Sequence, residues 1–232
     1  MKKLLVMIML LCVALFLFGC EAEKTPLEQV MDRVSYREIS KLCGQNDNFF
    51  VEITRIDGER DEVGDGKIGM MNKRTIIKLK PKNLDSKCDN YKIALKDKDN
   101  KAELTLEKDL LGLSYSASVS DDIYNFNASE MSILTEEKSC DIKLVDVLQD
   151  ASVNDDKAIE LAFAELKPAL SDYFENNKYS GEVFVKLIHN NRVIDSPYYF
   201  YVSFIKNKDE FQACLINPVD GKIVNKKVNP SL

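Results

Sequence analysis

Two lysines, Lys2 and Lys3, stand before an apolar run over residues 4–18, and Gly19 and Cys20 close it. A cationic start, a short apolar stretch and a small residue before a break form the pattern of a secretory signal. Residues 20–232 are then what must fold, and they fold outside the cytoplasm. Thiols there can oxidise, so the cysteines become part of the folding problem.

The end of the run is more specific. Leu17-Phe18-Gly19-Cys20 resembles the lipobox of bacterial lipoproteins, with Leu three before the cysteine and Gly just before it. The resemblance implies that residues 1–19 are removed and that Cys20 receives a diacylglyceryl group through a thioether, often with a further fatty acyl group such as palmitate on the new N-terminus. It implies no other cofactor. It places the chain in the cell envelope, held to a membrane by lipid. Glu21, not Asp, follows Cys20, which by the same resemblance favours the outer membrane where the host has two. One acyl chain holds a protein marginally, and two or three hold it firmly. The competing reading is an ordinary signal peptide or membrane anchor with a chance Cys20.

The charge agrees with attachment through lipid. The whole chain has 32 Lys and Arg against 38 Asp and Glu, a net of −6, and the signal takes two lysines away. An acidic body repels nucleic acid and anionic headgroups, so no nucleic-acid partner is expected. Glycine and proline are sparse and 45% of residues are hydrophobic, as in a globular chain. Of six cysteines, Cys12 leaves with the signal and Cys20 carries lipid. Cys43, Cys88, Cys140 and Cys214 remain as disulfide candidates, with three pairings that sequence cannot separate. No Cys-x-x-Cys motif is present, which argues against a thioredoxin-type site or a zinc knuckle. Cys214 sits inside an apparent strand, where a buried free thiol is the alternative.

After a tether over residues 20–24, Thr25, Pro26 and Glu28 supply a cap, a first-turn proline and a capping box. Leu27, Val30, Met31, Val34, Ile39 and Leu42 predict a helical stripe, and Gly44 predicts its stop. Residues 49–134 read as strands. Phe49-Phe50-Val51-Glu52-Ile53 is rich in β-formers, and Thr75, Ile77 and Leu79 alternate with Arg74, Lys78 and Lys80. Residues 91–95 and 102–106 flank a polar hairpin tip, and residues 111–119 and 123–134 extend the meander. Residues 139–154 connect two halves. In the second half, Asn154 or Asp155 caps a helix over residues 156–174 that Pro168 breaks or kinks. Strands follow over residues 181–189, 198–205 and 210–216, then a turn at Asp220-Gly221 and a short strand at Lys222-Ile223-Val224.

The expected fold class is therefore α+β: an N-terminal helix packed on an antiparallel β-meander (residues 25–138), then a second helix followed by a three- to four-stranded antiparallel sheet (residues 155–232). The second part resembles the PepSY family, on Asp156-Lys157-Ala158-Ile159-Glu160-Leu161-Ala162 and on Phe211-Gln212-Ala213-Cys214-Leu215-Ile216-Asn217-Pro218-Val219-Asp220-Gly221-Lys222-Ile223. The family usually shows Asp where Asn217 stands, and Thr-Gly where Asp220-Gly221 stands. The resemblance implies a binding module and transfers no catalytic residue.

Candidate chemistry is thin. His189 is the only histidine, so multi-histidine metal sites are excluded and no metal is expected. No Gly-x-Ser-x-Gly elbow accompanies it. The acidic loop 57–66 offers oxygen ligands for calcium, but Glu62 stands where an EF-hand needs glycine, and a solvated loop is the plainer reading. In Pro197-Tyr198-Tyr199-Phe200-Tyr201-Val202-Ser203-Phe204, the side chains of Tyr198, Phe200, Val202 and Phe204 share one face and read as core. Tyr199 and Tyr201 take the other face, as a patch for another envelope protein or peptide or as a surface covered by the first half. The expected function is non-catalytic binding or assembly at a membrane. The alternatives are a hydrolase of envelope polymers that uses two carboxylates, and a purely structural envelope component.

Overall fold

The computed structural model describes residues 23–59, 64–83, 89–97, 101–120, 128–134, 139–189 and 197–228. The signal, Cys20, Cys88, part of the acidic loop and the tip of the polar hairpin after Asp97 lie outside the described residues.

Thr25 caps α1 (Pro26–Met31). Its hydroxyl accepts from the Glu28 N–H, and the Glu28 carboxylate accepts from the Thr25 N–H. The expected continuation of this helix to Leu42 is wrong. After six residues the chain turns into the strand β1 (Val34–Gln45). Leu27, Met31 and Val34 do pack on the same core, so the apolar stripe reports burial and not conformation. Beyond it, β-formers (Val34, Tyr36, Ile39) and serines that favour non-helical backbone tip the balance, and strand partners on both sides of β1 settle it. Gly44 is not a helix stop. A Cβ there would meet the Lys143 carbonyl and lie 2.7 Å from Ile142 Cγ2, so glycine is what lets another strand cross at this point.

The α+β layout is likewise overturned. The described residues form one mixed 13-stranded sheet with two α-helices, and no helix packs on the first half as a separate layer. From β1 the chain runs through β2 (Phe49–Glu59), β3 (Met71–Pro81), β4 (Asn90–Lys96), β5 (Lys101–Lys108), β6 (Tyr115–Ser120), β7 (Glu130–Leu134), β8 (Ser139–Lys143) and β9 (Val145–Asp146). Their spatial order is β1-β2-β3-β6-β5-β4-β7-β8, all antiparallel. Only Leu144 separates β8 from β9, and β9 pairs with β1 at Leu42 and Cys43. The strands thus close on themselves as a barrel.

A barrel of about eight strands has an interior that side chains just fill. Here Val51, Ile53, Ile77, Leu79, Ile93, Leu95, Leu106, Met131 and Ile133 occupy it, with Tyr91 set edge-on against Tyr115 at 4.6 Å. The alternation of Thr75, Ile77 and Leu79 with Lys78 and Lys80 is the inside–outside code of one of these strands; all three are fully buried, and Arg74, at its start, is buried as well through its bonds to the Gly58 and Glu59 carbonyls.

The second half extends the same sheet. Asn154 caps α2 (Asp155–Leu166) by accepting from the Lys157 N–H. Pro168 then stands in a 3-10 helix (Lys167–Tyr173) that ends the α-helical hydrogen bonding. A small hairpin, β10 (Phe174–Glu175) and β11 (Lys178–Tyr179), leads to β12 (Glu182–His189), β13 (Tyr198–Ile205), β14 (Phe211–Ile216) and β15 (Ile223–Lys227), an antiparallel run. α2 covers one face of it, over Val183, Val185, Phe200, Val202, Phe204 and Cys214. β12 joins the barrel by pairing parallel to β1.

Ile39 is the residue added at a register slip between Glu38 and Ser40, and it is 39% exposed, whereas Tyr36 is 1% exposed. Ile39→Ala is expected to cost less than about 1 kcal/mol and Tyr36→Ala roughly 3–5 kcal/mol in urea unfolding. A helix with Ile39 in its core would reverse that order.

Candidate functional site

β1 is where the halves meet, and it buries Ser35, Glu38 and Lys41. β1 and β12 pair over Val34, Tyr36 and Arg37 against Val183, Phe184 and Val185, and then splay as β1 turns to β9. Two charged side chains enter the splay. Glu38 accepts from the Leu187 N–H at 2.8 Å, and Lys41 donates to the Leu187 carbonyl at 2.8 Å. They pair with each other at 3.1 Å, and Glu52 approaches Lys41 at 3.9 Å and Lys80 at 3.8 Å. Side chains thereby take over the hydrogen bonds that a neighbouring strand would have made. Outside this plug lies a recess of about 180 Å³ lined by Tyr36, Glu38, Lys41, Glu52, Thr54 and Ile56 among others.

Further along the splay, the Cys43 thiol and the Tyr198 hydroxyl are 3.0 Å apart, and the His189 ring lies 4.6 Å from that of Tyr198. Burial pushes the Cys43 thiol up to about 11, which keeps it protonated and a poor nucleophile at neutral pH. Burial also raises the Tyr198 phenol and lowers His189, so the imidazole is neutral at pH 7. Lys41 already donates to a carbonyl and faces carboxylates. The cluster is built as a structural lock, without an activated nucleophile.

A second lock holds the loop after β2. Glu182 is fully buried. It accepts from the Ser35 hydroxyl at 2.7 Å and from the Gly66 N–H at 2.8 Å. Arg33 donates to the carbonyls of Gly181, Ser180 and Gly66. The described part of the acidic loop is therefore docked on the second half instead of standing free in water. Among the described residues no group of His, Cys, Asp or Glu side chains could hold a metal ion.

Tyr199 and Tyr201 lie on the sheet face opposite α2, half-buried, beside Lys186, Ile188 and Leu215. The first half reaches this face further along, where Tyr36 and Ile56 pack with Phe184 and Ile205. A separate groove of about 500 Å³ lies at the start of the described chain, between Glu23, Lys24, Pro26 and Gln29 on one side and Phe163, Lys167 and Phe174 on the other.

The remaining cysteines are dispersed. Cys43, Cys140 and Cys214 are free thiols, so the expected disulfides are not found among the described residues. Cys140 accepts from Asn46, and Cys214 is buried under α2. Sequence reasoning brought out the Tyr199–Tyr201 face but missed Glu38, Lys41 and Glu182. Charged residues in a strand normally face water, and no local signal marks the ones that do not. No family model, curated protein or solved structure matches this chain.

Burial raises the Glu182 carboxyl above its ordinary 4.5, with the Ser35 hydroxyl and Gly66 N–H pulling the other way. A proton held more tightly by the folded chain adds stability below the unfolded value, and that stability is lost as pH rises through the raised one. Glu182→Gln is expected to remove this loss, so the variant gains on the parent over the pH range that begins near the ordinary 4.5 and rises from there. Urea unfolding across that range checks it; a difference that does not change with pH would exclude titration of Glu182.

Proposed function

We propose that this protein is a lipid-anchored lipoprotein of the bacterial envelope, with a non-catalytic binding or assembly role carried by the outside of its sheet. Cys20 supplies the anchor. It stands three positions before Glu23, where the described body begins. The observation that carries the reading of the body is the filled barrel: its interior is packed with aliphatic and aromatic side chains, which leaves contact to the exterior. On the sheet that extends from the barrel, Tyr199 and Tyr201 present half-buried rings with Ile188 and Leu215 around them, a combination enriched where proteins meet. The segment of α2 and β12–β15 is the one whose sequence resembles PepSY domains, and the role that resemblance implies is also binding. The partner class is another envelope protein or peptide.

Mass spectrometry of the protein from intact cells, with a photo-crosslinker at position 186, tests both parts. The expected result is an N-terminal peptide that begins at Cys20 with acyl mass, and a crosslinked partner lost in the Tyr199→Ala/Tyr201→Ala chain at a nearly unchanged melting temperature. A native chain that begins at Met1 would remove the anchor. An unchanged crosslink would remove the face, and a large fall in melting temperature would reassign the two tyrosines to the core.

A further inference from the structure

The turn between β5 and β6 carries the most exposed apolar side chain of the described residues, Leu110, with two more exposed leucines beside it. Leu110, Leu111 and Leu113 are 106%, 80% and 52% exposed. Exposed leucines are ordinary when single; three in four positions at one tip form a patch that needs a partner. We propose that this tip inserts into a lipid bilayer.

The turn is built so that its polar groups face inward. The Asp109 N–H donates to the Ser114 carbonyl at 2.8 Å, and the Gly112 N–H donates to the Asp109 carbonyl at 3.0 Å. The Asp109 carboxylate accepts from the Leu113 N–H at 2.9 Å and from the Ser114 hydroxyl at 2.6 Å. Gly112 takes φ 68°, which closes the turn without strain. Turning the Asp109, Gly112 and Leu113 N–H groups inward lowers the cost of bringing the tip toward hydrocarbon, where unmade backbone hydrogen bonds are expensive.

The foot of the turn is rigid. Ser114 and Tyr115 are 3% and 1% exposed, and Tyr115 packs against Tyr91 inside the barrel. The Lys108 amine lies 5.9 Å from the Tyr115 ring, at the level where a lysine can reach headgroups. The tip holds no aromatic, methionine or arginine, the residues that mark protein interfaces, and leucine is under-represented among interface hot spots. Hydrocarbon, which requires no shape match, suits a convex leucine tip better than a protein pocket does.

The tip and α1 are at opposite ends of β1. Gln45 lies opposite Phe50, Phe49 opposite Pro81, and Leu79 opposite Tyr115, so the tip is at the Gln45 end of β1, whereas α1 leads into the Val34 end. A strand of this length separates them by about 35–40 Å. The tip is thus a second membrane contact, distinct from any attachment near residue 20 and not dependent on it.

The chain contains no tryptophan, so Leu111→Trp places a single reporter at the tip, with Leu110→Trp as a second. The full chain is mixed with phosphatidylcholine vesicles whose acyl chains carry bromine. Emission is expected to move to shorter wavelength, to be quenched by the bromines, and to lose sensitivity to aqueous acrylamide. Emission that stays at the water-exposed wavelength and remains open to acrylamide would overturn the proposal. So would a shift that appears only when envelope proteins are added, which would assign the tip to a protein pocket. Vesicle flotation of the Leu110→Asp/Leu111→Asp chain reports the N-terminal attachment separately, so failure of the anchor and failure of the tip give different results.

Discussion

One strand belongs to both halves of this molecule, and the structure depends on how its backbone is shared. Along one edge β1 stays with β2 from Tyr36 to Gln45; along the other it pairs first with β12 and then with β9. At the change of partner, Leu187 would lose the hydrogen bonds of a ladder in a dry environment, at a cost of about 1–3 kcal/mol for each unmade bond. Glu38 and Lys41 fill that gap. The pair gains from the Leu187 N–H and carbonyl, and a buried ion pair is tolerable only when such further bonds complete it. Arg37 adds a tie from the same strand to Asp155 and Asp156 at the start of α2, at 2.8 and 3.0 Å. The closure of the barrel and the docking of the second half are thus consequences of one strand with two neighbours on one edge.

That sharing is also why sequence periodicity failed where it did. Val30, Met31 and Val34 follow a helical spacing and face one core, but the chain changes conformation between Met31 and Val34 while keeping that face. From there the code inverts: Ile39 is partly exposed, and Glu38 and Lys41 are buried. A charged residue is buried only when a specific partner awaits it, and those partners (Leu187, Glu52) are remote in sequence. The antiparallel strands were legible, since each has an inside and an outside of its own. Thr75, Ile77 and Leu79, and Phe200, Val202 and Phe204, followed from alternation alone. What alternation could not reveal was that the strands of the first half close on themselves, because closure needs Gly44 beneath β8 and β9, a long-range contact with no local mark.

The candidate surfaces split along the same line. Tyr199 and Tyr201 were legible as the outward set of an alternating strand, and they do face away from α2. The leucines before β6 were not, because an apolar Leu-Leu-Gly-Leu run adjoining a strand reads as part of that strand. Asp109 makes it a turn by binding the Leu113 N–H and the Ser114 hydroxyl. The outward position of the leucines then follows from where the polar groups are held.

A filled barrel concentrates function on its ends and flanks. Inside, Tyr91, Ile93 and Met131 leave an interior that serves stability alone. Outside, β1 fixes the distance between the two poles, since it runs from α1 to the level of the leucine tip without a break in its pairing to β2 other than the slip at Ile39. Rigidity at the seam therefore controls geometry at both ends. Loosening the Glu38–Lys41 plug would let the β12–β15 region shift against the barrel, carrying Tyr199 and Tyr201 with it, while the leucine tip, built on Tyr115 and the barrel core, would keep its place.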